Sequence, residues 1–370
     1  MNKNNHKKIH IVLLFGGKST EHEVSIKSAR SVFKMVDKEK YKVTLIGIDK
    51  NGVWIPFDEL QLFSSERIIL SEQKQNITNT QIIPYDANGR FIIKNGENIE
   101  MIDVVFPVLH GTFGEDGTIQ GLLKLANVPF VGVDILGSAI GIDKEVTKRL
   151  LRDRGLPVAP FIVYKKHEIK DIIFDKIKHD LGLPFFVKPA NLGSSIGITK
   201  VHSISEFKKA INFAFKYDNK ILIEEYIKGR EIECSILGNE KPTASVCGEI
   251  ISGHEFYSYE AKYLDGNNVI LSIPAKISKS LVKKIQLLAI ETFKTLCCEG
   301  MARVDFFVTK DKKIYINEIN TMPGFTSGSM YPKLWEASGI SNKKLIDVLI
   351  NLAIKRFKDK NKLLTSKDII

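Results

Sequence analysis

The stretch over residues 300–330 constrains the fold more than any other part of the chain, because it reads as two strands joined by a short polar turn. The runs ARVDFFV and IYINEIN are rich in β-branched and aromatic residues, and the lysine-rich TKDKK separates them. A turn over residues 310–313 pairs Thr309 with Ile314. The sequence therefore predicts an antiparallel β-hairpin with a defined register.

This register gathers four polar side chains on one face of the hairpin. Asp305 lies opposite Glu318, and Arg303 lies opposite Asn320. A set of oxygen ligands without Cys or His selects Mg²⁺ or Mn²⁺, and these ions keep coordination positions open for substrate phosphates. A nearby arginine can stabilise the charge on a phosphoryl or acyl oxygen. The alternative is a surface hairpin with cross-strand ion pairs. Charges within apolar strands and the following PGFTSGS favour a metal and phosphate site.

Composition excludes several classes of protein. With 370 residues, 44% of them hydrophobic and 26% charged, the chain supports two or three globular domains. No apolar run approaches the about 20 residues of a membrane span, and no signal peptide is recognisable, so we expect a cytoplasmic protein with reduced cysteines. The net charge of +11 is scattered and concentrated on no nucleic-acid-binding motif. We therefore expect no nucleic-acid partner and no membrane partner.

The N-terminal part predicts a parallel sheet. The apolar runs IHIVLLFGG, YKVTLIGID and IDVVFPVLHG each predict a buried strand, VPFVG predicts a further one, and residues 51–100 predict only short strands. Ligands of such sheets bind beyond the carboxyl ends of the strands, where Glu21 and His110 lie. Glu21 either binds a ligand or complements the helix dipole, and His110 is either functional or structural. Thr20 and Glu23 fit a capping box, which gives Glu23 a structural role.

The central part contains two candidate phosphate-binding lysines. A helix is predicted over residues 144–152 with Asp143 as N-cap, and Lys144 in its first turn opposes the helix dipole, which suggests an anionic ligand. An apolar strand delivers Lys188 to the glycine- and serine-rich loop 191–197, whose N–H groups and hydroxyls could cradle phosphates. An ordinary glycine hairpin is the alternative for this loop.

The C-terminal part predicts a long strand, an irregular loop and two helices. KILIEEYIKGREIECSIL is predicted as one strand, in which Glu224 and Glu225 face opposite sides, so that at most one points at a given site. The segment EFYSYEAKYLDGNNV combines aromatic and charged residues without a period, which is typical of an ordered functional loop. Helices are predicted at residues 278–296 and 342–355.

Six motifs in order resemble one family. GGKSTEHEVS, HGTFGEDGTIQG, VKPANLGSSIG, YEAKY, ARVD and NEINTMPGFTSGS are similar to those of the D-alanine–D-alanine ligases of bacterial cell-wall synthesis, over residues 9–356. The resemblance implies an α/β (α+β) ATP-grasp fold, with ATP between two antiparallel sheets. It implies a Rossmann-like parallel-sheet domain (1–127), a central subdomain with the phosphate loop (128–218), and a C-terminal subdomain with a mobile loop and the metal site (219–370). The ATP-grasp core would span residues 148–355.

The resemblance also implies roles for the matching residues. It implies that ATP contacts Lys144, Lys188, Ser194, Ser195, Glu224, Glu225, Ile227 and Glu231. It implies two Mg²⁺ or Mn²⁺ ions per active site, held by Asp305, Glu318 and Asn320. The first D-alanine would meet Glu21 and His110, and the second would meet Lys262, Ser329 and Met330. Arg303 and Gly324 would bind the developing oxyanion, while Glu21, Ser194 and Tyr263 would form a hydrogen-bonded latch on the mobile loop.

The implied reaction joins two D-alanines through an acyl phosphate, with release of ADP and phosphate, in a homodimeric enzyme whose partners are ATP and D-alanine. A ligase that transfers D-alanine to D-lactate or D-serine, of the glycopeptide-resistance type, is the alternative. Such relatives depart from YEAKY or from the residue after the last serine of TS-x-S, whereas this chain keeps YEAKY and has the apolar Met330. A non-catalytic nucleotide sensor on the same fold would be expected to lose the metal ligands or Arg303, and this chain keeps them.

Overall fold

The N-terminal part forms the predicted parallel sheet. A computed structural model describes residues 7–64, 80–83, 91–95, 97–252 and 269–364. The elements are β1 (Ile9–Gly16), α1 (His22–Met35), β2 (Tyr41–Ile48), β3 (Trp54–Phe57), α2 (Glu59–Phe63), β4 (Thr80–Ile83), β5 (Ile92–Asn95), β6 (Asn98–Met101), β7 (Val104–Val108) and α3 (Thr118–Leu125). In the order β3-β2-β1-β7, β1 is parallel to β2 and β7, which agrees with the burial of its side chains on both faces, whereas the edge strand β3 is antiparallel to β2. The strands β4, β5 and β6 form a separate antiparallel sheet.

The central part forms a small antiparallel sheet. Its elements are α4 (Ile135–Ile142), α5 (Lys144–Asp153), β8 (Phe161–Lys165), a 3₁₀ turn (Lys166–Asp171), α6 (Phe174–Leu181), β9 (Phe185–Pro189), β10 (Thr199–Val201), α7 (Ile204–Ala214) and β11 (Lys220–Glu225). The order is β10-β9-β11-β8. An apolar cluster with Phe185 and Val187 of β9 and Phe207 of α7 covers one face. The other face is thereby left for polar side chains such as Lys188, since side chains alternate along a strand.

The C-terminal part forms a third antiparallel sheet. Its elements are β12 (Gly229–Gly238), β13 (Thr243–Ser252), β14 (Val269–Ser272), α8 (Lys279–Thr295), β15 (Gly300–Thr309), β16 (Ile314–Asn320), α9 (Met330–Ala337) and α10 (Asn342–Lys360). Within the described residues the strand order is β14-β13-β12-β15-β16. Apolar side chains of α8, including Ile285 and Phe293, pack against Ile232 and Val304 of this sheet. The opposite face carries the polar side chains of the hairpin.

The last two helices fasten the C-terminal part to the N-terminal sheet. Tyr331 and Trp335 of α9 lie in one apolar cluster with Leu13 and Phe106. From α10, the buried Arg356 donates hydrogen bonds to the carbonyl oxygens of Phe130 and Gly132, at 2.7 and 2.6 Å. This packing brings the carboxyl ends of the parallel strands towards the loop that follows β16.

Two strand predictions are wrong. The predicted strand over residues 220–237 is two strands, β11 and β12, which belong to different sheets. Because β11 pairs with β8 and β9, it belongs to the central sheet. The predicted strand VPFVG is reduced to one parallel bridge between Phe130 and Val105.

The capping-box prediction is also wrong. Helix α1 begins at His22, so Glu21 is its N-cap, and no side chain caps it. Glu23 instead forms an ion pair with Lys50 at 3.3 Å. The helix starts later than predicted because the chain first makes a turn in which the Oγ of Ser19 accepts from the N–H of Glu21 at 3.1 Å.

Two expectations about the chain as a whole can be compared with the structure. All four cysteines lie in the described part of the chain and none is in a disulfide, as expected of reduced thiols. Among the residues that the structure describes, no helix combines the length and apolarity that crossing a membrane requires.

Candidate active site

A single large cavity collects the predicted site residues. It has a volume of about 730 Å³ and lies between the central sheet, the C-terminal sheet and the carboxyl ends of β1 and β7. Every predicted site residue that the structure describes lines it, namely Glu21, His110, Lys144, Lys188, Ser194, Ser195, Glu224, Glu225, Ile227, Glu231, Arg303, Asp305, Glu318, Asn320, Gly324, Ser329 and Met330. The two remaining predictions, Lys262 and Tyr263, lie outside the described residues.

The register of the hairpin is confirmed where it matters for the site. Asp305 pairs with Glu318 and Arg303 pairs with Asn320, and the Nδ2 of Asn320 donates to Oδ2 of Asp305 at 2.9 Å. Near the turn the predicted pairing is wrong, because Ile314 pairs with Val308 and not with Thr309. A bulge after Asp305 accounts for the one-residue difference.

Arg303 is held between two carboxylates. Its Nε and Nη2 donate to Oδ1 and Oδ2 of Asp305, both at 2.7 Å, and its Nε lies 2.9 Å from Oε2 of Glu233. Burial would lower the pKa of Arg303, but Asp305 and Glu233 raise it well above the ordinary value. The guanidinium is therefore a fixed positive charge on the cavity wall. The sequence analysis did not identify Glu233, although period-2 alternation from Glu231 on β12 would have placed it on the same face.

The lysines form a chain of buried charges. Lys188 on β9 contacts Oε2 of Glu224 on β11, and the other oxygen of Glu224 contacts Lys148 of α5. Burial alone would raise the pKa of Glu224, but the two ammonium groups hold it below the ordinary value. Lys144 donates to the carbonyl oxygen of Leu192 at 2.6 Å, which ties the start of α5 to the phosphate loop. Lys148 was missed in the sequence, although it lies one helical turn after Lys144.

Glu224 and Glu225 are the last two residues of β11, and both line the cavity. Whether only one of the two side chains serves a given site stays a prediction.

The phosphate loop has an unusual backbone. Ser194 and Ser195 have φ values of 53° and 59°, a left-handed conformation that non-glycine residues seldom adopt. Consecutive residues outside the regular regions turn their N–H groups towards a common point and form concavities that bind anions. The Oγ of Ser194 donates to Oε1 of Glu21, which connects this loop to the N-terminal sheet.

Glu21 shares its end of the cavity with His110 and Glu115. The His110 ring donates from Nδ1 to the carbonyl oxygen of Met322 at 3.0 Å, and its Nε2 lies 3.1 Å from Oγ of Ser28. Burial lowers the pKa of His110, but the carboxylate of Glu115, 3.6 Å from Nδ1, together with Glu21 and the carbonyl group of Met322, outweighs burial, so the pKa lies above the ordinary value. This end of the cavity therefore carries a carboxylate and an imidazole close together. Glu115, in the GEDG segment, was also missed in the sequence.

Backbone groups and small side chains form the far wall. At Gly324, an added Cβ would lie 2.8 Å from Oγ of Ser329, so only glycine leaves this approach open. The Oγ of Ser329 lies 2.8 Å from Oγ1 of Thr326. Met330, at the start of α9, is buried and packs against Gly248. This wall is therefore a small, mostly apolar pocket with a few hydroxyl groups.

The donor set on the hairpin fits a hard divalent cation. Asp305 and Glu318 supply carboxylate oxygens and Asn320 supplies an amide oxygen, all beside the lysines. No group of three or more His, Cys, Asp or Glu side chains in the described ranges is arranged to hold a metal by itself. That result agrees with magnesium chemistry, in which one or two carboxylates hold the ion together with substrate phosphates and water.

Comparisons with known proteins agree with this arrangement. Family models described as "D-ala D-ala ligase N-terminus" and "D-ala D-ala ligase C-terminus" match residues 10–133 and 150–351. A protein named D-alanine--D-alanine ligase from Oceanobacillus iheyensis is 51% identical over 95% of this chain and 96% of its own length. D-alanine--D-alanine ligase A from Escherichia coli is 46% identical over 97% of this chain and 99% of its own.

Solved structures show the same architecture. The D-alanine-D-alanine ligase from Coxiella burnetii superimposes with a TM-score of 0.85 at 38% identity, covering 96% of each chain. The VanG D-Ala:D-Ser ligase from Enterococcus faecalis superimposes with a TM-score of 0.83 at 35% identity, covering 94% of this chain and 100% of its own. The fold is the ATP-grasp fold, and its enzymes use ATP and a divalent metal. On its motifs, its cavity and these matches, the chain belongs to the D-alanine–D-alanine ligase family.

Proposed function

We propose that this protein joins two D-alanine molecules into D-alanyl-D-alanine at the expense of ATP, for cell-wall precursor synthesis. The observation that carries the proposal is that one cavity brings three sets of groups together. They are a carboxylate with a histidine, the lysines with the phosphate loop, and an arginine with the carboxylates that would bind metal. The close relatives named D-alanine--D-alanine ligase support the choice of substrate.

The lysines and the phosphate loop are the groups that bind ATP. Lys144 and Lys188 place positive charge beside the loop that contains Ser194 and Ser195, which is what a triphosphate requires. Glu225, Ile227 and Glu231 follow along the same wall, where the adenine and ribose would lie. Asp305, Glu318 and Asn320 would hold two Mg²⁺ or Mn²⁺ ions, which supply charge neutralisation of the phosphates.

The first D-alanine binds between Glu21 and His110. The Glu21 carboxylate receives its ammonium group, and the imidazole of His110 would lie near its carboxylate. A carboxylate is a poor electrophile. Its oxygen therefore takes the γ-phosphoryl group of ATP, so that an acyl phosphate forms and ADP leaves.

The second D-alanine attacks from the pocket beside Ser329 and Met330. Its neutral amine forms the new C–N bond, and the carbonyl oxygen gains negative charge. The C–O bond to phosphate then breaks as the carbonyl is restored, and the nitrogen gives one proton to the departing phosphate. Arg303 and the backbone at Gly324 stabilise that charge. Arg303 stays positively charged because the carboxylates of Asp305 and Glu233 flank it. A closed loop that contains Lys262 and Tyr263 would keep water from hydrolysing the acyl phosphate.

The domain arrangement and the setting of the protein are also proposals. We assign a substrate domain to residues 1–127, a central sheet to Phe161–Glu225 and a metal-binding sheet to Gly229–Asn320, because strand pairing separates them in this way. The protein would work in the cytoplasm, where ATP and D-alanine are present, as a homodimer. Light scattering after size-exclusion chromatography tests the oligomeric state.

One assay tests the function and its alternative together. Phosphate release is measured with ATP, Mg²⁺ and D-alanine, and the products are separated by chromatography when D-lactate or D-serine is added as a competing acceptor. We expect D-alanyl-D-alanine as the main product. Absence of D-alanine-dependent phosphate release would refute the proposal, and a preference for D-serine would favour the VanG-like alternative.

A further inference from the structure

Lys148 is a buried charge that does not reach the cavity. It is 1% exposed, whereas Lys188 and Glu224 line the cavity and Lys148 is absent from the described lining residues. Burial of an ammonium group is unfavourable unless the group is paired, so a fold keeps one only with partners. Its Nζ contacts Oε1 of Glu224 and donates to the carbonyl oxygen of Asn317 at 3.1 Å.

These contacts join three elements that the nucleotide cleft depends on. Lys148 lies on α5, Glu224 on β11 of the central sheet, and Asn317 on β16 of the metal-binding sheet, directly before Glu318. The neighbouring backbone follows the same path, since the N–H of Ile316 donates to the carbonyl oxygen of Pro157 at 2.8 Å. Lys148 is therefore a link between the two sheets at the base of the cleft.

Glu224 divides its two oxygens between two lysines. Oε1 contacts Lys148 and Oε2 contacts Lys188, so each ammonium has a fixed position relative to the other. Two positive charges against one negative leave a net positive charge, which faces the cavity through Lys188. Without Lys148, the whole charge of Glu224 would act on Lys188 and compete with the phosphates for it.

We propose that Lys148 is a positioning residue for nucleotide binding: it occupies one oxygen of Glu224, anchors it to β16, and so keeps Lys188 available to the phosphates of ATP. The inference rests on the proposed function only in taking a nucleoside triphosphate as the ligand. Lys148 itself touches no substrate. It acts through Glu224.

The test is a double-mutant cycle in which the affinity for a nucleotide is measured. ADP binding in the presence of Mg²⁺ is measured by calorimetry for the wild type, Lys148→Met, Glu224→Gln and the double variant. We expect Lys148→Met to weaken ADP binding about tenfold or more, the size of one charged hydrogen bond. In the Glu224→Gln background we expect the same substitution to change affinity by less than about threefold, because the residue through which it acts is already neutral.

The cycle distinguishes a role of Lys148 in positioning Glu224 from a role in packing alone. A loss of thermal stability in Lys148→Met with unchanged ADP affinity would overturn the proposal, and so would an equal loss of affinity in both backgrounds. If Lys148→Met does not fold, the double variant still decides, because it removes both charges of the Lys148–Glu224 pair: a further tenfold loss relative to Glu224→Gln overturns the inference.

Lys220→Met is the matched control. Lys220 lies on β11, the strand that carries Glu224, and forms ion pairs with Asp143 and Glu145 at 2.6 and 2.8 Å. In the described structure it contacts neither Glu224 nor the cavity. We expect its ADP affinity to equal that of the wild type. Dipeptide formation by the wild type is measured separately, so that a failure of the proposed function is distinguished from a failure of this inference.

Discussion

Substitution of Gly111 by alanine tests whether the position of Glu21 controls the first substrate site. Gly111 has a φ of +72°, and a Cβ built there would lie 2.7 Å from Oε2 of Glu21 and 2.8 Å from Oγ of Ser19. Since carbon atoms and their neighbours prefer separations of about 3.5 Å or more, the Glu21 carboxylate must move by close to 1 Å. A displacement of that size at a substrate-positioning group costs up to about 100-fold in rate.

The matched control is Gly155→Ala. Gly155 has nearly the same backbone conformation, with a φ of +77°, but an added Cβ meets no atom within 4 Å. Both variants pay the same penalty of about 1–2 kcal/mol for a left-handed alanine. They should therefore lose thermal stability equally, and only Gly111→Ala should also disturb Glu21.

Steady-state kinetics with varied D-alanine and ATP provide the assay. We expect kcat/KM for the first D-alanine to fall by about 10- to 100-fold in Gly111→Ala and to stay near the wild-type value in Gly155→Ala, with KM for ATP changed little in either. Equal kcat/KM values in the two variants, at equal stability, would refute the role given to Glu21.

Three further substitutions probe other parts of the site. Glu318→Gln keeps size but loses the charge that we assign to metal binding, so phosphate release should fall more than about 100-fold; near-normal release at saturating Mg²⁺ would reject the assignment. Lys188→Met should weaken ATP binding about 10- to 100-fold and D-alanine binding much less, because only the phosphates need the ammonium; equal losses would indicate a structural lysine. Tyr263→Phe should let D-lactate compete better with D-alanine if the hydroxyl latches the loop to Ser194 and Glu21, whereas a packing role would cost only about 1 kcal/mol of stability. The ratio of dipeptide to depsipeptide, followed across pH, decides, and a wild-type ratio throughout would eliminate the latch.

Local rules account for the parts of the site that were predicted correctly. Opposition of Asp305 to Glu318 follows from the two-residue period of strands and from a short turn, both of which are written in the sequence. Asp143 caps α5 as predicted, since its side chain accepts from the N–H groups of Glu145 and Val146, both at 3.1 Å.

The wrong predictions occur where packing between distant parts of the chain overrides a rule of local sequence. The bulge after Asp305 displaced the register near the turn without disturbing the site. The long strand over residues 220–237 broke because its two halves serve different sheets, a choice that hydrophobic alternation cannot encode. The helix start moved from Thr20 to Glu21, where the carboxylate meets Ser194, a residue 173 positions away.

The sequence by itself determined most of the strands, the hairpin with its four polar side chains, and the motifs that identify the family. Only the tertiary structure decided which charges neutralise one another. Lys148 contacts the carboxylate of Glu224, and His110 donates to the carbonyl oxygen of Met322, which lies 212 residues away in the sequence. Both contacts exist because separate sheets pack together around one cavity. Helix and strand periods specify which face a side chain occupies, but the partner of a buried charge depends on what is packed against that face, and burial makes such a partner obligatory.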